Sequence, residues 1–150
     1  MPQGILAITE QVDGEFKNIS FEVVSAGKKM ADQAKSTLSA LVMGTGVESI
    51  AAQTAEYGAD RILVADDDGL QEGLSDSCTQ AVDQIVTQCD PAVIVIGATS
   101  LGKDIAARLS ARLQAPLAMD CVEVRADGGQ VVATRPMYGG KVLADVSLSG

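Results

Sequence analysis

The chain is organised around residues 91–113, which read PAVIVIGATSLGKDIAARLSARL. Residues 92–96 form an unbroken apolar run rich in Val and Ile, which is typical of a strand buried on both faces of a parallel sheet. Gly97 ends this run, and a short loop leads to a helix that we expect to begin near Lys103. Apolar residues then recur every four positions and form one face of that helix: Ile105, Leu109 and Leu113. The stretch predicts a strand, a loop and a helix whose N-terminal amides face the strand end.

Three earlier apolar runs predict further strands, at residues 5–9, 38–43 and 61–65. Between these strands the apolar residues recur at helical spacing, which predicts three helices. Ser20 is the predicted N-cap of the first, and a short second helix follows Val47 and stops at Gly58. The third, longer helix carries an apolar stripe from Cys78 to Cys89. Repeated strand–helix units imply right-handed crossovers and a parallel sheet.

The pattern changes after the helix of residues 103–113. Residues 117–124 are predicted as a fifth strand, and residues 130–135 and 142–148 as antiparallel strands added to the edge of the sheet. The sequence thus predicts one α/β domain over residues 1–150. Its fold is doubly wound, with a mainly parallel sheet flanked by helices (Rossmann-like, adenine-nucleotide-hydrolase-like) and antiparallel C-terminal strands.

Composition narrows the possible functions. The chain has 150 residues, of which 47% are hydrophobic, so one sizeable core is expected. Its formal net charge of −9 disfavours binding to nucleic acid or to anionic membranes. The chain contains no histidine, which excludes histidine-based catalysis and most zinc sites. No apolar run is long enough to span a bilayer and no signal peptide is evident, so we expect a cytoplasmic protein.

Residues 97–104 read GATSLGKD and match the phosphate-loop pattern GxxxxGK, except that Asp104 replaces the final Ser or Thr. A carboxylate at that position would repel phosphate oxygens, whereas the usual hydroxyl binds magnesium. Two interpretations stay open. The loop is either a weak cofactor-binding loop or a glycine-lined turn in which Asp104 interacts favourably with the helix dipole. The candidate cofactor-binding residues are Gly97, Thr99, Gly102 and Lys103.

Other strand ends carry polar residues. Thr9-Glu10 and Gly44-Thr45-Gly46 follow predicted strands, where an open α/β sheet places its ligand crevice. The acidic triplet 66–68 is either a site for a hard cation or a solvated loop, and we favour the loop because neighbouring side chains diverge. Near the C-terminus, Arg135 and Tyr138 flank a stiff turn, where they either contact a partner or only hold the turn together.

Several segments together resemble the amino-terminal domain of the electron transfer flavoprotein alpha subunit. They are residues 19–22, the run IVIGATSLGKDIAARLSARL at 94–113, Asp120, and TRPMYGGKVLADV at 134–146. The most specific parts are the G-x-T-x-x-G-[RK]-D loop and the R-P-x-Y-x-G hairpin. The family's loop more often has Arg where this chain has Lys103, and a Pro often stands near Ala107; neither change alters the expected fold.

The resemblance implies a scaffold domain that packs on a homologous beta subunit and supports a flavin domain. It also implies an electron carrier with no catalytic constellation in residues 1–150. The FAD of the intact alpha subunit would be bound outside these residues, with no cofactor expected here and AMP as a candidate ligand of the beta subunit. Electrons would come from flavin dehydrogenases and pass to a quinone reductase or another acceptor.

Two further hypotheses remain. The strand-end glycines also suit a free-standing adenine-nucleotide-binding module that resembles universal stress proteins. That group has a longer spacing between its loop glycines and a further Gly-Ser or Gly-Thr past the helix, whereas after Gly102 the next glycine here is Gly128. An enzyme acting through Lys103 and Asp104, such as a phosphotransferase, is the least supported, because no hydroxyl follows the lysine.

Overall fold

The computed structural model describes residues 3–149. In chain order it contains these elements: β1 (Ile5–Ile8), β2 (Gln11–Val12), β3 (Glu15–Phe16), α1 (Asn18–Ala34), β4 (Leu38–Gly44), α2 (Glu48–Ala51), α3 (Gln53–Glu56), β5 (Arg61–Asp66), a 3-10 turn (Asp68–Leu70), α4 (Ser75–Cys89), β6 (Val93–Ile96), α5 (Ser100–Leu113), β7 (Glu123–Asp127), β8 (Gln130–Met137) and β9 (Val142–Leu148).

Four strands form a parallel sheet in the order β5-β4-β1-β6. In its register Ile8, the last residue of β1, lies opposite Leu41 of β4 and Ile96 of β6. Each of the four strands coincides with a predicted apolar run. The central strands β1 and β4 are buried on both faces and therefore need apolar side chains at nearly every position. The strand β6, which we expected to be buried in the same way, is an edge strand and is only half-buried.

Helices cover both faces of this sheet, which confirms the doubly wound prediction. Alternate residues of β1 and β4 contact α1 on one face, where Ala7, Val24 and Leu38 belong to one buried cluster. The residues between them point to the other face and pack on α4 and α5. Leu6 of β1 and Val82 of α4, for example, belong to one buried cluster there. Salt bridges tie α4 to α5, with Arg108 Nη1 2.5 Å from Asp76 Oδ1.

The C-terminal strands form a separate three-stranded antiparallel sheet in the order β7-β8-β9, so the prediction that they extend the edge of the parallel sheet is wrong. The sheet lies along α1 instead, where Val124 and Val131 pack against the cluster that α1 forms with the parallel sheet. The predicted fifth strand at 117–124 is also wrong over most of its length, because β7 begins only at Glu123. Asp120 has a φ of +55°, which interrupts the extended backbone that a strand requires.

Helix boundaries differ from the predictions where side chains have other partners. The helix α5 begins at Ser100, not near Lys103, because the Thr99 side chain caps it by accepting a hydrogen bond from the Gly102 amide. Ser20 is not an N-cap: α1 already begins at Asn18, and the Ser20 hydroxyl bonds to the backbone of Glu10. The short helix predicted after Val47 is divided into the single turns α2 and α3.

Candidate functional site

The order of the parallel strands creates a crevice at one end of the sheet. The chain leaves β1 toward β4 and β5 and later returns to the other side of β1 as β6. At such a switch point the connections after neighbouring strands diverge, and open α/β folds bind ligands between them. Here residues 9–11 follow β1 and residues 97–99 follow β6, so the crevice lies between these two segments.

Glu10 lies at the centre of this crevice, with its side chain only 7% exposed. Its backbone is held by the first turn of α1. The Glu10 amide donates to Ser20 Oγ at 2.8 Å, and the Ser20 hydroxyl donates back to the Glu10 carbonyl at 2.6 Å. The Lys17 amide also donates to that carbonyl, at 3.0 Å. These bonds fix the direction in which the Glu10 side chain leaves the strand.

The Glu10 carboxylate joins the first turns of two helices. One oxygen, Oε1, accepts a hydrogen bond from the Thr99 hydroxyl. The other, Oε2, lies 3.2 Å from the Lys17 ammonium. Because Thr99 also caps α5 through the Gly102 amide at 3.0 Å, the carboxylate is linked to that amide through one hydroxyl. The arrangement satisfies a buried negative charge with charge-assisted hydrogen bonds and an ion pair.

The two loop glycines are required by close packing. A Cβ on Gly102 would lie 2.0 Å from the Gly97 carbonyl oxygen, and a Cβ on Gly97 would lie 2.5 Å from a side-chain carbon of Ile19. Both distances are far below van der Waals contact. The glycines therefore let the loop fold tightly between β6 and α5, as the glycine-lined-turn interpretation expects.

The structure brings together three of the four candidate cofactor-binding residues. Gly97, Thr99 and Gly102 share the loop, with Thr99 in contact with Glu10. Lys103 follows in the first turn of α5, but its ammonium pairs with Asp120 Oδ1 at 2.6 Å and contacts none of the other three. Cofactor binding by these residues stays a prediction.

Beside Glu10 lies a cleft of about 280 Å³. Its floor is apolar and includes Ile8, Ile96 and Ile105, while carboxylates and the single ammonium group of Lys17 lie among its lining residues. The Cys78 thiol also lines it; burial raises its pKa, and the negative charge of Glu10 adds to the shift. This thiol is thus held in its neutral, unreactive form.

Two residues of the acidic triplet 66–68 accept hydrogen bonds from backbone amides in nearby turns. Asp66 accepts from the Gly46 and Val47 amides at 2.8 and 2.9 Å, and Asp67 accepts from the Gly69 amide at 2.7 Å. Within residues 3–149, no group of three or more acidic or cysteine side chains is placed to hold a metal ion. These contacts favour the loop interpretation over the cation site.

A second surface lies on the antiparallel sheet, on the face that turns toward α1. By register, Met137 lies opposite Val142, and Ala133 lies opposite Val146. The part of this face nearest α1 is covered, whereas the far part is exposed. We call this far part the outer half-face; it comprises Arg135, Met137, Val142 and Val146. Arg135 Nε is buried there with no hydrogen-bond partner in the described residues, and Tyr138 projects from the adjoining turn with 78% of its surface exposed.

Sequence reasoning placed Glu10 at a strand end but did not find its partners. Thr99 is 89 positions away along the chain, and Lys17 and Ser20 were assigned no role at this site. The only available signal was a polar residue directly after a buried strand. That signal locates the crevice but does not show which side chains contact Glu10 there.

The parallel sheet, its two helical layers and the switch-point crevice define a Rossmann-like α/β protein. Comparison with known sequences then identifies the family: the electron transfer flavoprotein domain matches residues 5–149, and the chain belongs to this family. Within residues 3–149, none of the helices has both the length and the apolar character needed to cross a bilayer.

Individual relatives support the same family assignment. The chain is 35% identical to the electron transfer flavoprotein subunit alpha of Bacillus subtilis (strain 168) over 146 residues, which make up 97% of this chain and 44% of that relative. It is 35% identical to the protein FixB of Clostridium saccharobutylicum, over 97% of this chain and 44% of FixB. It is 31% identical to the acryloyl-CoA reductase electron transfer subunit beta of Anaerotignum propionicum, over 95% of this chain and 45% of that subunit. The chain thus spans less than half the length of these relatives.

Proposed function

We propose that residues 1–150 form the scaffold domain of an electron transfer flavoprotein alpha subunit, which packs on a beta subunit and supports an FAD-binding domain. The observation that carries this proposal is the outer half-face, in a chain that belongs to the electron transfer flavoprotein family. A face that is covered at one end and apolar at the other is suited to a permanent protein contact.

The composition of the outer half-face and of the turn that adjoins it supports a protein partner. Arginine, methionine and tyrosine are enriched at the centres of protein interfaces, and Arg135, Met137 and Tyr138 bring all three types together. Arg135 is half-buried at this face and its Nε has no hydrogen-bond partner in the described residues, so a partner protein that rearranges the side chain could supply an acceptor. Arg135 and Tyr138 are therefore assigned to the partner interface in this proposal.

The electron-transfer step itself is assigned to groups outside residues 1–150. In this proposal FAD is bound by the flavin domain, and the beta subunit holds AMP or a second flavin. Flavin dehydrogenases supply the electrons and a quinone reductase or another acceptor takes them, all in the cytoplasm. Residues 1–150 have no catalytic role and contribute shape and stability to the complex.

Co-expression tests the proposal. The chain would be produced together with an electron transfer flavoprotein beta subunit from the same source, and the mixture analysed by size-exclusion chromatography with detection at visible wavelengths. We expect the two proteins to elute together, without flavin absorbance attributable to this chain. Separate elution of two folded proteins, with ATP retained by this chain, would contradict the proposal and favour a nucleotide-binding module.

Two neighbouring residues provide a matched pair of variants. Val142 belongs to the outer half-face and is 48% exposed, whereas Leu143 points to the opposite face of the same strand and is 64% exposed. We expect Val142→Asp to abolish co-elution with the beta subunit and Leu143→Asp to leave it unchanged. Co-elution retained by Val142→Asp, or lost equally by both variants, would contradict a contact through the outer half-face.

A further inference from the structure

The crevice brings the N-termini of two long helices to one carboxylate. The helix α1 begins at Asn18 and α5 begins at Ser100, and both start beside Glu10. Helix N-termini carry partial positive charge and free amides, and they attract anions. In this chain Glu10 contacts the first turn of α1 through Lys17 and Ser20, and the cap of α5 through Thr99. The negative group between the two helix starts is therefore a side chain of the protein.

We propose that Glu10 is the built-in anion of this crevice and makes the crevice reject phosphate-bearing ligands. The carboxylate already engages two donors beside it: the Thr99 hydroxyl donates to Oε1, and the Lys17 ammonium pairs with Oε2. A phosphate at the amides of the two helix starts would have to displace this buried carboxylate or lie directly beside it. Displacement breaks those contacts, and a position beside the carboxylate is opposed by charge repulsion, which solvent screens little because the Glu10 side chain is only 7% exposed.

The surrounding charges act in the same direction. Three carboxylates line the adjoining cleft, those of Glu10, Asp13 and Glu72, against the one ammonium group of Lys17. Lys103, which the phosphate-loop pattern would direct to a phosphate, is paired with Asp120 instead. The contact between Glu10 and Thr99 thus decides whether the loop accepts a phosphate, which the loop sequence alone leaves open. This inference concerns the crevice and does not depend on the proposed scaffold role.

A purely structural role for Glu10 makes a different prediction. If the carboxylate only fastened β1 to the two helices, its replacement would lower stability without creating affinity for any anion. If it excludes phosphate, its neutral isostere would remove the repelling charge and release the Lys17 ammonium from its ion pair, although the amide oxygen could still accept a hydrogen bond from Thr99. Anion affinity of the variant therefore separates the two roles, which stability alone does not.

The test uses the full chain, the variant Glu10→Gln and the matched control Glu72→Gln. Glu72 also lines the cleft, but it is exposed and does not contact Thr99 or Lys17. Each protein would be titrated with inorganic phosphate and with adenosine monophosphate, at low ionic strength, while amide NMR shifts of residues 97–103 are recorded. We expect Glu10→Gln to bind both probes at least about tenfold more tightly than the wild type, with Glu72→Gln within about twofold of the wild type.

Three results would overturn the proposal. The first is saturable binding of either probe to the wild-type chain at the amides of residues 97–103. The second is a folded Glu10→Gln protein without increased affinity. The third is an equal gain in Glu72→Gln, which would mark a general charge effect. If Glu10→Gln does not fold, Glu10→Met, a neutral side chain of similar length, is titrated in its place against the same expectation and the same control.

Discussion

Strands β4 and β9 have seven residues each, yet they differ in almost every physical respect. Six of the seven residues of β4 are buried, whereas none in β9 is fully buried. The strand β4 has a paired strand on each side and helices on both faces, while β9 has one paired strand and contributes no residue to the cluster that α1 forms with the parallel sheet. The parallel sheet therefore supplies the core, and the antiparallel sheet supplies a surface.

The two sequences reflect this difference. The strand β4 reads LSALVMG, a nearly continuous apolar run, and β9 reads VLADVSL, in which polar residues interrupt the apolar ones. Continuous runs suit strands buried on both faces, and interrupted patterns suit antiparallel strands with one solvated face. Substitutions in the two sheets should therefore have unequal effects on stability and on association.

The largest difference in the free energy of unfolding is expected between truncations of an apolar side chain in the two sheets. Leu41→Ala in β4 removes a side chain with no exposed surface and should lower the free energy of unfolding by about 2–5 kcal/mol. Val146→Ala on the outer half-face should lower it by less than about 1 kcal/mol, because that side chain is already partly exposed. Urea unfolding followed by circular dichroism measures both values. Similar losses in the two variants would contradict the assignment of the core to the parallel sheet.

The loop after β6 provides the next test. Gly102→Ala places a methyl group against the Gly97 carbonyl, and relieving this clash should cost about 1–3 kcal/mol. Ser100→Ala, at the exposed first residue of the same helix, serves as the control and should change stability by less than about 0.5 kcal/mol. Thermal and urea unfolding of the two variants would be compared. A Gly102→Ala protein as stable as the control would show that the loop packs less tightly than described.

Acid unfolding compares one carboxylate from each part of the molecule. The backbone amide of Leu38, followed by Lys28, holds the pKa of Asp60 below its ordinary value of 3.8. A lowered pKa means that the ionised carboxylate stabilises the folded state at neutral pH, and that this contribution is lost as the pH falls below about 4. We expect Asp60→Asn to lose about 1 kcal/mol or less at pH 7, because the side chain is 38% exposed and solvent screens it.

In the antiparallel sheet, hydrogen bonds from Arg125 and then Thr134 lower the pKa of Asp145 in the same way. Asp145→Asn should therefore also be less stable than the wild type at pH 7, and both differences should vanish below the folded-state pKa values. Urea unfolding between pH 2.5 and 7 follows the two differences. A gap between variant and wild type that widens on acidification would contradict the sign of the pKa shifts.

The smallest effect is expected at the junction of the two parts. Gln33 of α1 accepts a hydrogen bond from the Ala126 amide of β7 at 3.0 Å, in an exposed position. Gln33→Ala should cost about 0.5–1 kcal/mol in total and should increase amide hydrogen exchange in β7 without affecting β4. Gln53→Ala, on the exposed side of a short helix remote from β7, is the control. Faster exchange in β4 would mean that the two sheets unfold as one unit.

Much of the fold could be predicted because its signals are local. The four parallel strands appear as apolar runs, and the change to antiparallel strands appears where the pattern shifts to a period of two. The helix boundaries that were predicted wrongly depend on which group a side-chain hydroxyl bonds to. Thr99 and Ser20 both look like caps, but only Thr99 caps a helix, since Ser20 is bonded to Glu10. No periodicity distinguishes a hydroxyl used by its own helix from one used by a distant strand.

Residue type and spacing along single elements were enough to predict the class of fold, the crevice at the strand ends and the acidic character of the molecule. Three contacts became visible only in the folded chain: Glu10 meets Thr99, Lys103 pairs with Asp120, and the antiparallel strands form a sheet of their own against α1. These contacts join residues brought together by the order in which strands enter the sheet. That order is set by the packing of the whole chain, which local patterns of hydrophobicity do not encode.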